Sequence, residues 1–447
     1  MRPFRPRASL GCAVSGYIVR PHPHPTPLTP IRTSSSSNRG IVRRRGVAGS
    51  HVQRSISSGC SSSRSYSVSV HHRITKPPPF AFAFDIDGVL LHVAKPIPGA
   101  TRALEYLQKH NIPFILLTNG GGKHEKERVA DLSARLGVEL TTDNFIQSHT
   151  PFQELVHHSH SHPAGLKDKN ILVTGSDPAK CRDIARKYGF KHVIIPADII
   201  AAHPNIWPFD PLMEEIYAKS ARPLPTPGPK IDGIFVFNDP RDWALDIQII
   251  ADLLLSEQGV LGTYSSKNGR ADLANHGWQR DGQPSIYFSN PDLFWSAGYR
   301  FPRFGQGAFQ AALAGVWGEI TGGRAELERT VIGKPHGRTY GYAERVLNAH
   351  RAALLGKPLE PLKRVYMVGD NPASDVRGAN EYESPAGTKW SSVLVRTGVW
   401  SPERGGEPAY TPDAIVDDVR GAVEWALERE GWTWAGYKGV TDELGTS

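Results

Sequence analysis

Two carboxylates set the chemistry of this chain. Asp85 and Asp87 follow Ala81-Phe82-Ala83-Phe84, four apolar residues that predict a strand buried on both faces. Two apart on extended backbone, their side chains leave from the same side. Like charges at the end of a buried strand cost free energy unless a cation or hydrogen bonds offset them, which makes the pair a candidate metal site. The plainer reading of D-x-D-G alone is a polar turn after a strand. A calcium loop fails on spacing, because Val89 and Leu90 stand where a ligand and a glycine are needed.

The remaining reactive residues lie downstream, each after a short apolar run. Thr118 and Asn119 follow Phe114-Ile115-Leu116-Leu117; Lys334 follows Val331-Ile332-Gly333; Asp370 and Asp375 follow Val365-Tyr366-Met367-Val368-Gly369. Phosphoryl transfer through a covalent intermediate needs this inventory. A carboxylate attacks phosphorus, and a divalent cation masks the repulsion between the two anions. Magnesium takes hard oxygen ligands, usually one or two carboxylates. A lysine offsets charge, while hydroxyl or amide donors orient the phosphoryl oxygens. Gly333-Lys334 is no P-loop, since Pro335 and Glu328 occupy required Ser/Thr and Gly positions. Gly120-Gly121-Gly122 is no dinucleotide fingerprint, since Glu125 replaces its last glycine, and no G-x-S-x-G elbow occurs.

The elements between these residues alternate strand and helix, which predicts a parallel sheet with crossover helices and chemistry at the carboxyl ends of its strands. A strand at 80–84 is followed by helices over 99–109 and 123–136 with the strand 114–117 between them. Residues 148–290 read as a second, smaller α/β domain inserted into the first. It has strands near 171–174, 234–237 and 287–290, helices over 181–188 and 243–255, and a Pro-rich loop over 203–230. The first domain is expected to resume at 291 with a helix over 307–320, a strand ending at Gly333, a helix over 339–355 with Tyr342, Val346 and Ala349 on one face, and strands 364–368 and 393–395. His157-His158-Ser159-His160-Ser161-His162 reads as a solvated histidine-rich loop rather than a metal site.

Asp85-Ile86-Asp87-Gly88-Val89, Leu117-Thr118-Asn119, Gly333-Lys334-Pro335 and Gly369-Asp370-Asn371 with Asp375 resemble the four ordered motifs of the haloacid dehalogenase superfamily. The D-x-D-G-V start, the G-K-P motif and the insert between the second and third motifs resemble subfamily IIA, the p-nitrophenylphosphatase-like branch. Phe237-Asn238-Asp239-Pro240-Arg241-Asp242-Trp243 and Ser289-Asn290-Pro291-Asp292-Leu293 are similar to the mitochondrial cat-eye-syndrome-critical-region type within it. The resemblance implies a Rossmann-like parallel-sheet α/β core with an inserted α/β cap domain of the C2 type. It implies a Mg²⁺-dependent phosphoric monoester hydrolase acting on a small phosphorylated metabolite, with a homodimer through the cap. Asp85 would be the nucleophile. Asp87 would protonate the leaving oxygen, then deprotonate the attacking water. Thr118 and Asn119 would bind phosphoryl oxygens, and Lys334 would neutralise charge around Asp85. The metal set would be Asp85, Asp370, the backbone carbonyl of Asp87, and Asp375 through water or an indirect bond. Substrate-selecting residues are expected near Asn238-Asp239 or Ser289-Asn290-Pro291-Asp292. The alternative is a catalytically weak or inactive protein of this fold, acting as a binding or scaffold module.

Composition bounds the setting. The net charge of +8 invites a nucleic-acid reading, but residues 1–84 hold no Asp or Glu while carrying many Arg and Ser. That is the composition of a mitochondrial transit peptide, with a plastid address or a basic RNA-binding tail as the other readings. Arg64-Ser65-Tyr66-Ser67 resembles a matrix-peptidase site, placing a cut after Tyr66 and the mature protein in the matrix. Residues 1–66 contain 11 of the 52 basic residues, and the remainder carries a net charge of −3, which argues against nucleic acid as a partner. The expected organisation is a leader over 1–66, a linker over 67–79, core over 80–147, cap over 148–290, core over 291–435 and a tail over 436–447. After the leader only Cys181 remains, so no intramolecular disulfide or thiolate zinc site is expected. No apolar run reaches the ~20 residues of a membrane-spanning helix.

Overall fold

Phe80–Phe84 forms a strand with all five residues buried, and it lies inside a six-stranded sheet. The chain is described here from a computed structural model covering residues 77–158, 163–295, 297, 299, 301–356 and 359–432. The expected leader, most of the linker, Ser159 to His162 of the histidine loop and the tail over 436–447 lie outside the described residues.

The sheet runs 414–416, 389–395, 364–369, 80–84, 114–117, 145–146, with every pair parallel. Parallel strands need crossover helices that cover both faces, which is why their sequences read as unbroken apolar runs. On one face Phe82, Phe84, Tyr366 and Val393 pack with Leu104 and Leu107 of helix Ala100–Lys109 and Val423 and Leu427 of helix Val419–Arg429. On the other face Ala81, Ala83, Ile115 and Met367 meet Tyr340, Ala343 and Leu347 of helix Gly337–Leu355. Tyr342 and Val346 of the face expected from the sequence pack partly buried against the same cluster, and Ala349 is exposed. Tyr340 fits because Gly378 has no Cβ, which would sit 2.3 Å from its ring. A fully buried Phe or Leu contributes about 1.5–3 kcal/mol, so these two layers dominate the stability of the core.

The second sheet is also wholly parallel, in the order 330–331, 285–288, 233–236, 170–174, 192–194. Its boundary differs from the expected one. Thr330–Val331 extends this sheet beside Ser285–Phe288, and helix Gln306–Thr321 packs Phe309, Leu313 and Trp317 onto Ile234, Ile249 and Phe288. Both elements, expected in the first domain, thus belong to the second, and the return to the core falls after Val331. The Pro-rich stretch is not all loop: Glu214–Ser220 is helical, anchored by buried Tyr217. Among the described residues no helix is long and apolar enough to cross a membrane.

Candidate active site

The first, second and fourth motifs end core strands, and Lys334 arrives from the second sheet to join them. Its ammonium lies 2.9 Å from Asp85 Oδ1 and 2.7 Å from Asp375 Oδ1. Lys334 is 1% exposed, and the two carboxylates hold its ammonium protonated against burial, which alone would favour the neutral amine. Asp375 is fully committed, because its Oδ2 accepts the backbone N–H groups of Asp370 (3.2 Å) and Asn371 (3.0 Å). Asp370 Oδ2 accepts the N–H of Val399 at 2.6 Å.

Asp85, Asp370 and Asp375 each offer an oxygen within 4.8 Å of the others. Three carboxylates around one lysine leave buried negative charge uncompensated. Burial, then Asp85, raises Asp370 well above the usual carboxylate range, and burial raises Asp375 to about 6 against the pull of Lys334. An all-oxygen, anionic cluster of this kind fits a hard divalent cation. The backbone makes room for it: a Cβ at Gly398 would sit 1.9 Å from Asp370 Oδ2, and one at Gly88 2.4 Å from the same oxygen.

The Asp87 carboxylate stands apart from that cluster, 3.8 Å from Arg128, with its side chain half exposed to the cleft. Low-dielectric walls and the charge of Asp85 raise its pKa, with Arg128 opposing. A carboxyl that holds its proton longer suits proton donation. Thr118 Oγ1 accepts the N–H of Gly120 at 3.0 Å, so its own proton is directed elsewhere.

The Asn119 side chain, expected at phosphate, is engaged with Lys334 and Asp292. Its Nδ2 donates to the Lys334 carbonyl (2.9 Å) and to Asp292 Oδ2 (3.0 Å), while its Oδ1 accepts the Lys334 N–H (2.8 Å). Both Nδ2 protons are used and Oδ1 accepts one bond, so the amide clamps the backbone of Lys334. Behind it, the Gly120–Gly122 loop is held by buried His149, whose Nε2 accepts the Gly122 N–H at 3.3 Å. The proton therefore sits on Nδ1, which faces the Tyr188 hydroxyl at 2.7 Å, and Tyr188 in turn donates to Glu125. Burial lowers the His149 pKa to about 4, so this link stays neutral.

The floor opens into a cleft of about 440 Å³ whose opposite wall comes from the second domain, including Ser176, Lys180, Asn238, Asp239, Arg241, Asn290 and Asp292. Both stretches expected to select substrate thus reach the cleft. Asn238 spends its amide on Ser176, and Asn290 bonds the Asn119 carbonyl and the Asp292 N–H, so both serve as turn braces. Asp239 and Asp292 present carboxyl groups instead, and burial raises the pKa of both in favour of the neutral acid, Asp292 to about 7. Sequence reasoning missed Arg128, Gly398 and Val399. The last two follow strand Lys389–Val395, so the strand-end rule would have found them.

Comparison with known proteins agrees with this geometry. The family described as haloacid dehalogenase-like hydrolase matches residues 82–191, and the HAD-hydrolase-like family matches 331–422. A mitochondrial hydrolase of Saccharomyces cerevisiae is 40% identical over 368 residues, covering 78% of this chain and 96% of that protein. The chain belongs to the haloacid dehalogenase-like hydrolases. A Schizosaccharomyces pombe protein named as a fusion of cardiolipin synthase (CMP-forming) and mitochondrial hydrolase is 43% identical over 350 residues, or 78% of this chain. The chain spans about half of that fusion's length (53%). A solved structure of a hypothetical protein from Pyrococcus horikoshii shares the fold, at 19% identity and a TM-score of 0.51, covering 78% of this chain and 99% of that one. The chain is thus a hydrolase with the Rossmann-like parallel-sheet core and inserted α/β domain of this family.

Proposed function

We propose that this hydrolase is a Mg²⁺-dependent phosphatase that cleaves a small phosphate monoester through an aspartyl-phosphate on Asp85. The observation that carries the reading is the Lys334 ammonium held between Asp85 and Asp375, with Asp370 beside them on the floor of a roofed cleft. An Asp85 oxygen attacks phosphorus, the bond to the leaving oxygen breaks, and Asp87 supplies the proton that oxygen needs. Water then attacks the same phosphorus, Asp87 takes its proton, and the bond to Asp85 breaks to release phosphate. Lys334 offsets negative charge beside Asp85, and Thr118 donates to a phosphoryl oxygen. Asp85, Asp370 and the Asp87 carbonyl would hold Mg²⁺, with Asp375 acting indirectly through Lys334 and the 370–371 backbone. The ion would shield the attacking carboxylate from the phosphate charge. The second domain is the cap, and it excludes water from the cleft.

The mitochondrial relatives and the acid-free leader support import into mitochondria, with the matrix as the compartment. The fission-yeast fusion to cardiolipin synthase supports a place in glycerophospholipid metabolism. A homodimer through the cap is part of this reading. Phosphate release from a panel of phosphorylated metabolites, using protein that begins at Ser67, tests it. Turnover is expected only with a divalent cation, and Asp85→Asn should abolish it. Turnover that survives in Asp85→Asn defeats the mechanism. Mass spectrometry of the organellar protein should find the N-terminus at Ser67, and a chain still starting at Met1 removes the import claim.

A further inference from the structure

Strands Phe294–Trp295 and Arg303–Phe304 pair antiparallel into a ribbon that starts two residues after Asp292. Leu293, Phe294, Trp295, Tyr299, Phe301 and Phe304 on this short stretch are each 43–63% exposed. Phe294 and Trp295 also line the catalytic cleft. The described residues of the two strands hold one another. Phe294 stacks on Phe304 (5.7 Å), Trp295 Nε1 donates to the Phe304 carbonyl (3.2 Å), and Phe304 rests near the partly buried ring of Trp243 in the second domain (6.3 Å). Exposing so many large apolar side chains together is unfavourable unless something covers them.

A single ring of a small ligand would cover one or two of these faces, not six. An amphiphile matches the whole arrangement: its phosphate end belongs in a charged cleft, and its apolar end needs an apolar surface at the cleft's mouth. Charge agrees as well. Arg303 lies over the Tyr299 ring (4.7 Å) on the ribbon, and Lys180 and Arg241 stand on the cleft wall. Exposed Trp, Tyr and Arg side by side are the side chains that settle at a lipid–water boundary, with rings in the acyl region and cation among headgroups. We propose that the ribbon docks on a lipid surface and that the phosphate monoester delivered to the cleft is a phospholipid headgroup. This rests on the phosphatase reading above, which it narrows to a lipid-borne substrate.

Flotation with phosphatidylcholine vesicles containing phosphatidic acid, a phospholipid phosphomonoester, tests the docking directly in the Asp85→Asn protein. The native ribbon should co-float. Tyr299→Asp with Phe301→Asp should weaken vesicle binding at least ~10-fold, and Tyr299→Leu with Phe301→Leu should preserve it. In the active protein, phosphate release from vesicle-borne phosphatidic acid relative to p-nitrophenyl phosphate should fall ~10-fold in the Asp variant. No flotation of the native ribbon overturns the proposal, as does equal flotation of all three proteins. A dimer that becomes monomeric in the Asp variant without any vesicle binding also overturns it, giving the ribbon to a second copy of the chain. If the active protein releases phosphate from neither substrate, the phosphatase reading fails, and flotation alone decides whether the ribbon binds lipid.

Discussion

Asn119→Ala separates a clamp from a phosphate contact. In the structure the amide makes three hydrogen bonds, two to the backbone of Lys334 and one to Asp292. Alanine removes all three and leaves the buried N–H and C=O of Lys334 unpaired. At about 1 kcal/mol per lost bond, with a further 1–3 kcal/mol for a buried orphan, the loss comes to about 4–6 kcal/mol. Native domains have about 5–15 kcal/mol to lose, so the variant should fold yet unfold at a clearly lower urea concentration. Lys334 would also gain freedom beside Asp85, which weakens charge compensation in the transition state. We expect kcat to drop at least ~10-fold with KM changed no more than ~2-fold, since substrate contacts are untouched. Urea unfolding followed by fluorescence, together with steady-state kinetics on one soluble phosphate monoester, measures both effects. A variant with the wild-type urea midpoint, a raised KM and an unchanged kcat would refute the clamp and return Asn119 to the phosphate.

The cation reading predicts that Mg²⁺ raises the thermal midpoint of the wild type, by about 2.7 kcal/mol of stability at a hundredfold excess over Kd, and that Asp370→Asn loses most of the shift. Equal shifts in both proteins would remove Asp370 from the metal set. Gly398→Ala puts a Cβ 1.9 Å from Asp370 Oδ2, so the carboxylate must move; stability should fall about 1–3 kcal/mol and the Mg²⁺ shift should shrink, both read by calorimetry. A variant that melts like the wild type with a full Mg²⁺ shift would show that the loop yields freely. Asp246, which is not among the residues lining the cleft, gives a pH signature of its own: it is 1% exposed, accepts from Thr174 Oγ1 at 2.7 Å, and burial raises its pKa to about 8. The folded protein keeps that proton while the unfolded chain loses it above about pH 4, so the group's stabilisation falls between about pH 4 and about pH 8. Asp246→Asn should flatten that decline, by at most about 1.4 kcal/mol per pH unit, as measured by urea midpoints across the window; parallel pH profiles would refute it.

Residue type and position relative to a buried strand made the carboxylates readable, because few functions tolerate charge there. Asp85, Thr118, Asp370 and Asp375 reach the cleft region from the strands their sequences announced. Lys334 reached it too, but from the other sheet. Thr330–Val331 is only two residues long, and its partnership with Ser285–Phe288 is a long-range pairing that no local period encodes. Asn119 was expected at phosphate because its motif resembles the family's, and the contact its side-chain amide makes with Lys334, 215 positions along the chain, is one no local pattern encodes. Val399 holds Asp370 with a backbone N–H, a group that every residue but proline owns and that leaves no mark on composition. The ribbon was hidden for a related reason: Phe294, Trp295 and Phe304 read like any apolar strand, and only the fold shows that these rings face outward beside the cleft. Chemistry restricts which side chains may serve, and so it shows in sequence. Positioning here falls largely to backbone groups and distant pairings, and so it does not.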